Sequence, residues 1–387
     1  MIPLRYNIRS LMVRKATTAA ATLGIALVVF VLASALMLSE GVKETLSSAG
    51  REDIAIVLRK GSDAEMGSTI EDPQIGLIKS MSGVKRESDQ PLGTGEVVIV
   101  IALEKLGAEG VTNVLVRGVT ETSHKLRPDV KIVEGRLPSP GSDEVMIGRA
   151  IRGRIKGVEL NQSFDLKKNR PVKVVGVFED NGSSYESEVW ADLDNVRASF
   201  GRQGAVSSVR VVLDSPASFD AFQAGVESDK RLGLMAKRET KYFEEQSQGT
   251  SIFLTFLGGL IAFFFSIGAM IGATITMYAS IANRQREIGT LRALGFSRFS
   301  ILICFLFEAV LLSLIGGLLG LVPAIFMGSI ELSMVNFASW SELVFRFRPT
   351  PEVLGIAVGS AVVMGILGGF LPAVRAARTS PLAAMRA

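Results

Sequence analysis

The chain is poor in the residues that build most enzyme centres. It holds one cysteine, Cys304, and one histidine, His124, in 387 residues. That excludes a disulfide framework and any zinc site of clustered Cys and His. A catalytic triad would have to use His124, which sits in the polar run Thr122-Ser123-His124-Lys125 and reads as an exposed loop residue. The G-x-S-x-G, H-E-x-x-H and G-x-x-x-x-G-K-[ST] patterns are missing, so a Walker A loop for ATP is excluded. Charged residues are scarce at 21%, hydrophobic ones reach 48%, and mean hydropathy is +0.36. Such a chain reads as an integral membrane protein.

The net charge of +4 is unevenly spread. Residues 39–250 carry 29 basic against 33 acidic residues, a net −4, and the remainder 13 against 5, a net +8. The basic surplus therefore belongs to the apolar part, as expected of loops facing anionic lipid or a cytoplasmic partner, not of a nucleic-acid surface. Four apolar stretches exceed the ~20 residues that cross a bilayer. They predict spans at 16–39, 251–281, 300–326 and 352–373. Arg5, Arg9, Arg14 and Lys15 precede the first span, Arg284, Arg286, Arg292 and Arg298 lie between the second and third, and Arg375, Arg378 and Arg386 follow the fourth. Positive charge on one side places both termini and the 282–299 loop in the cytoplasm. Leu4, Ile8, Leu11 and Met12 suggest an amphipathic helix over 1–15 on the inner membrane surface. An outer domain of 40–250, a short outer loop of 327–351 and a cytoplasmic tail of 374–387 complete the layout.

Within the outer domain, strand signals cover Ile54–Leu58, Glu96–Ala102, Asn113–Val119, Lys131–Val133, Glu144–Ile147, Val172–Phe178, Ser187–Ala191 and Ser208–Leu213. Helix signals cover Pro73–Met81, Leu193–Phe200 and Ala217–Glu227. Asn181-Gly182 gives a hairpin signal. Gly61–Asp72 reads as a flexible polar loop, and Met235–Gly249 as a stalk running into the second span. The carboxylates look scattered over a solvated surface. The fold class is therefore a four-span α-helical membrane protein with a large extracytoplasmic α+β domain of two lobes.

Two cytoplasmic segments carry a more specific signal. Arg284-Gln285-Arg286-Glu287-Ile288-Gly289-Thr290-Leu291-Arg292-Ala293-Leu294-Gly295-Phe296-Ser297 follows the second span, and residues 371–386, LPAVRAARTSPLAAMR, close the chain. With the opening PLRYNIRSL and Phe307-Glu308-Ala309 of the third span, they resemble the MacB/FtsX-like permeases of ABC transporters, the mechanotransmission class. The resemblance spans the whole chain and implies MacB-like permease architecture in a bacterial inner membrane. It also implies a second permease chain, a homodimer or heterodimer, and a separate cytoplasmic ABC ATPase that binds ATP and Mg while this chain binds no cofactor. The chain itself is then no enzyme. A periplasmic adaptor or lipoprotein is the implied outer partner, with export or efflux as the leading role and lipoprotein extraction as its rival. A membrane receptor or scaffold without an ATPase is the reading from another class.

Under that resemblance, Arg284, Arg286, Glu287, Ile288, Gly289, Leu291, Arg292, Leu294 and Gly295 are the ATPase-coupling residues. Ile288, Leu291 and Leu294 form an apolar ridge for docking, and Gly295 suits a left-handed helix end. Glu287 is expected to pair with the ATPase or a neighbouring arginine. Glu308 is the one ionisable residue well inside a span, so a partner is expected on another helix, a hydroxyl or backbone group. The small-residue pairs Ala20/Gly24, Gly268/Gly272, Gly316/Gly320, Gly355/Gly359 and Gly365/Gly369 are candidates for close helix packing, within the chain or at a dimer seam.

Overall fold

The computed structural model describes residues 15–229 and 231–379. The amphipathic helix expected up to residue 15 and the closing residues 380–387 lie outside that range. The helices are α1 (Lys15–Ser47), α2 (Asp72–Lys79), α3 (Glu121–Leu126), α4 (Leu193–Phe200), α5 (Phe219–Ser228), α6 (Glu239–Asn283), α7 (Gln285–Ala293), α8 (Arg298–Met327) and α9 (Pro351–Arg378). Four of these, α1, α6, α8 and α9, are long and apolar enough to cross a membrane. The chain divides into two compact units, residues 41–251 with 331–345, and the rest.

The first unit is built on a sheet of ten strands. They are β1 (Ile54–Arg59), β2 (Gly93–Glu104), β3 (Val111–Val119), β4 (Lys131–Gly135), β5 (Glu144–Gly148), β6 (Ser163–Lys167), β7 (Arg170–Glu179), β8 (Glu188–Asp192), β9 (Ser208–Val212) and β10 (Leu234–Arg238). Their order is β10-β1-β9-β2-β3-β8-β5-β7-β4, with β6 beside β7. Strand β2 bridges the two halves of this one sheet: Gly93–Glu96 pairs with β9, and Val97–Glu104 pairs with β3. Two pairs are parallel, β3 with β8 and β5 with β7. Alternating Val and Ile side chains from these strands fill one continuous core with Ile78, Val196, Phe222 and Val226 from the helices.

Several local expectations are corrected. Residues 234–238 form the edge strand β10, so the helix running into the membrane starts at Glu239. His124 lies in α3, whose start is held by a Thr120–Ser123 capping box, and its ring meets Trp190 at 5.7 Å; it is half-buried, not a loop residue. Asn181 and Gly182 do make a left-handed turn, φ 51 and 77, but the flanking strands do not pair with each other. The 327–351 loop contains a hairpin, β11 (Glu331–Val335) with β12 (Glu342–Arg346). At its tip Trp340 has φ +54, rare for a bulky side chain, and hydrogen bonds hold it there: its N–H donates to Asn336 O (2.8 Å) and its carbonyl accepts from Asn113 Nδ2 (2.8 Å).

In the second unit the small residues decide which helices touch. A Cβ on Gly316 would lie 2.8 Å from Thr22 O, and one on Gly317 2.8 Å from the Ala361 methyl. Gly320 packs on Ala26, Gly365 on Ser313 and Gly369 on Ala309 in the same way. Helix α8 is thus pressed between α1 and α9. A hydroxyl bond from Thr274 Oγ1 to Gly368 O (2.8 Å) ties α6 to α9. Gly24, Gly268, Gly272, Gly355 and Gly359 have no atom within 4 Å of an added Cβ, and Ala20 is exposed. These residues do not pack closely within the chain. Cys304 of α8 is buried.

Candidate coupling site

Helix α7 follows α6 after a single non-helical residue, Arg284, at φ −115 and ψ 16. Its side chain turns inward and is 5% exposed. Nη1 donates to Glu308 Oε2 of α8 at 3.0 Å, Nε donates to Glu287 Oε2 of α7 at 3.2 Å, and the guanidinium lies 5.3 Å from the Phe305 ring centre. The partner of Glu308 is therefore a cation, not the hydroxyl or backbone group expected. A buried carboxylate in an apolar bundle is costly unless paired, and the α6–α7 junction supplies the pair. Arg284 is accordingly an internal tether, not part of an outward docking face.

The expected ridge is corrected too. Three residues advance a helix by about 300°, so each i+3 step falls about 60° behind. Ile288 is 1% exposed and packs with Met277 and Ile281 of α6, Ile301 and Phe305 of α8, and Ala373 and Ala376 of α9. Leu291 is half-buried, and Leu294 is 72% exposed. Gly289 is buried with Ile288, whereas Gln285, Arg286, Glu287, Thr290, Ala293 and Leu294 form the exposed side.

The end of α7 is fixed as firmly as its start. Gly295 takes φ +91; its N–H donates to Arg292 O at 3.2 Å, and Phe296 N–H donates to Leu291 O at 3.2 Å. This is a Schellman closure with glycine at its left-handed position. Arg292 Nη1 also donates to Phe296 O at 3.1 Å. Ser297 then caps α8, its Oγ accepting from Ser300 N at 3.1 Å. The connection has no slack: α7 is welded to α6 and α8 through ion pair, core and caps.

A second constellation, in the sheet-based unit, escaped the sequence altogether. The carboxylates there are not all scattered: Glu65, Glu96 and Glu188 are buried with Arg117, Arg127 and Arg210. Arg117 is bidentate on Glu188, both contacts 2.7 Å, and also reaches Glu65 (3.0 Å) and Glu96 (3.1 Å). Arg210 binds Glu65 at 2.7 Å and Glu96 at 2.9 Å, and Arg127 clamps Glu96 at 2.6 and 2.8 Å. The Gly61–Asp72 segment supplies Glu65 in a short turn of helix, which corrects its reading as a flexible loop. Burial alone would push the Glu65 carboxyl up; Arg117 and Arg210 outweigh it and hold it at about 2. Burial likewise opposes ionisation of Glu96, and Arg127, Arg210 and Arg117 drive it far below the usual carboxylate range. His124 is lowered, first by burial and then by the Arg127 charge.

Residues 17–229 match the family model of the MacB-like periplasmic core domain, and residues 259–381 that of the FtsX-like permease C-terminal domain. The chain belongs to the MacB/FtsX-like family of ABC transporter permeases. Among its relatives is the uncharacterized ABC transporter permease YvrN of Bacillus subtilis, 28% identical over 94% of this chain and 93% of that one. The permease YknZ of the same organism is 27% identical over 85% and 82%. The macrolide export ATP-binding/permease protein MacB of Rhodospirillum rubrum is 32% identical over 58% of this chain. This chain spans only 35% of that protein's length. Among solved structures, the extracellular domain of YknZ aligns at 16% identity with a TM-score of 0.37, covering 48% of this chain and 99% of that one. The periplasmic region of MacB from Actinobacillus actinomycetemcomitans aligns at 14% and 0.38, covering 49% and 90%.

Proposed function

We propose that this chain is the permease subunit of an exporter, driven by a separate cytoplasmic ATPase that binds ATP and Mg. The chain itself performs no chemistry; it converts closure of the ATPase into movement of its spans and outer domain. The observation that carries this reading is the welding of α7, because a helix held by the Arg284–Glu308 pair, the Ile288 core and the Gly295 closure transmits displacement without taking it up. Arg286, Glu287, Thr290 and Leu294, on its exposed side, are the residues offered to the ATPase. In this reading both termini and α7 face the cytoplasm of a bacterial inner membrane, which the excess of basic residues in those segments supports.

A second permease chain completes the assembly. Only 11% of the most apolar window of α6 is buried, against 39–50% for the other three spans, which leaves α6 with the most surface for lipid or a second copy. Export with a periplasmic adaptor is favoured by the macrolide-export relatives; lipoprotein extraction is the alternative.

The test is an affinity pull-down from native membranes with ATP hydrolysis assayed. The chain should bring down an ATPase, and Arg286→Glu with Leu294→Asp, both on the exposed side, should lose it. Recovery of no ATPase by the unaltered chain would overturn the reading in favour of a receptor or scaffold, and a co-recovered lipoprotein in place of an adaptor would replace export with extraction.

A further inference from the structure

The buried ion network does not end within the sheet. Glu239, the first residue of α6, is 1% exposed. Its carboxylate accepts three hydrogen bonds from three different parts of the chain: Arg210 Nε of β9 at 2.8 Å, Tyr185 Oη at 3.3 Å, and the backbone N–H of Arg51, just beyond α1, at 3.2 Å. The chain beyond α1 and the start of α6 also touch directly, since a Cβ on Gly50 would fall 2.8 Å from Thr240 Cα. One turn into α6, the Tyr242 hydroxyl accepts from the Glu65 N–H at 3.2 Å.

The hairpin between α8 and α9 is fixed to the same region. Thr112 Oγ1 of β3 donates to the Glu342 carboxylate, and Val344 N–H donates to Ser187 Oγ at 3.0 Å, beside Glu188. A cavity of about 40 Å³ lies beside these contacts, with Glu65, Arg117, Glu188 and Glu342 on its wall together with the apolar Leu115 and Phe243. At ~10–15 Å³ per enclosed water it has room for a few.

We infer that Glu239 is a positioning residue, the staple of a junction at which the chain just after α1 and the start of α6 are gripped by one buried charge network. The chemistry suits a staple: a carboxylate with three donors at a helix N-terminus is favoured by the helix dipole as well as by its partners. Formal charge also favours a clean test. Three arginines face four glutamates, a net −1, and Glu239→Gln brings the cluster to zero without changing its shape.

The mechanical part of this inference rests on the permease reading, but the first readout does not. Hydrogen exchange is measured on the full chain in nanodiscs, without ATPase. In Glu239→Gln, amides of residues 49–53 and 240–247 should exchange at least tenfold faster together, while β3 and β8 keep their protection. Faster exchange confined to 240–247 would overturn the staple, and loss of protection throughout the sheet would reduce Glu239 to a general fold-stabilising residue. Glu239→Asp, which keeps the charge but withdraws the carboxylate by one methylene, serves with the same outcomes if the glutamine variant does not accumulate. In the assembled transporter, Glu239→Gln should keep ATP hydrolysis and lose at least tenfold in transport; transport at the unaltered rate would overturn the mechanical role of the staple. Failure to recover an ATPase at all would overturn the permease reading and leave the exchange result standing.

Discussion

Arg284 and Glu308 form a buried ion pair, 3.0 Å between Nη1 and Oε2, joining the α6–α7 junction to the first half of α8. The two residues are 24 positions apart, and each side chain is at most 5% exposed. Removing one partner leaves the other charged and buried, which costs about 3–5 kcal/mol in comparable sites.

Glu308→Ala should therefore lower the unfolding temperature in detergent sharply. Arg284→Met together with Glu308→Leu should recover much of the loss, since an apolar pair can replace a buried ion pair at little cost. Equal destabilisation of single and double variants would show that the pair is not the source.

Substitutions along α7 should separate by face. Ile288→Ala opens the core and is expected to cost about 2–5 kcal/mol. Leu294→Ala, three-quarters exposed, should leave stability within about 0.5 kcal/mol while weakening ATPase recovery. Chemical or thermal unfolding beside the pull-down reads both; a stability loss at Leu294 matching that at Ile288 would contradict the geometry.

Acid should attack the outer domain within a defined window. Glu65 sits at about 2 against an ordinary 4.5. A depressed folded value stabilises fully above the unfolded value and is lost as pH falls through the folded one. The loss therefore runs from about pH 4.5 to 2 and amounts to about 3 kcal/mol from this group alone. Trp190, whose Nε1 donates to Glu188 at 2.7 Å, reports it by fluorescence. Unfolding complete above pH 5 would contradict the assignment.

His124 should titrate below 6.5, because burial and the Arg127 charge oppose its protonation. The folded state then resists a proton that the unfolded state accepts, so stability from this site declines as pH falls below 6.5. As the chain's single histidine, it gives an unambiguous ring signal by NMR, and a midpoint at or above 6.5 would contradict its burial beside Arg127.

The spans, most of the strands and the α7 motif were legible because each is a local pattern. Apolar runs show their length directly, and Gly295 marks a helix end by its position. What the sequence hid depends on which faces become covered. Glu96, Arg117 and Arg210 each interrupt a Val-rich strand, and alternation reads such a residue as solvent-facing. Only the second covered face of the sheet turns them into a network. An opposite-charge set centred in three valine strands was the one available clue. Residues 234–238 and the 331–346 hairpin are short strands whose pairing is distant, so no local periodicity announced them. Arg284 reads as a docking residue in the sequence because its partner lies on another helix, and the Ile288 ridge reads as outward because three-residue spacing does not reveal which way it drifts.

The burial of Cys304 makes the native chain an almost silent background for thiol chemistry. It is the only sulfhydryl, and it is shut inside α8. A cysteine placed at Ala293 or Trp340, both exposed, would be the sole reactive handle on its side of the protein. Spin labels, fluorophores or cross-linkers attached there would follow the exposed face of α7 or the hairpin tip through the ATP cycle without first stripping the chain of competing groups.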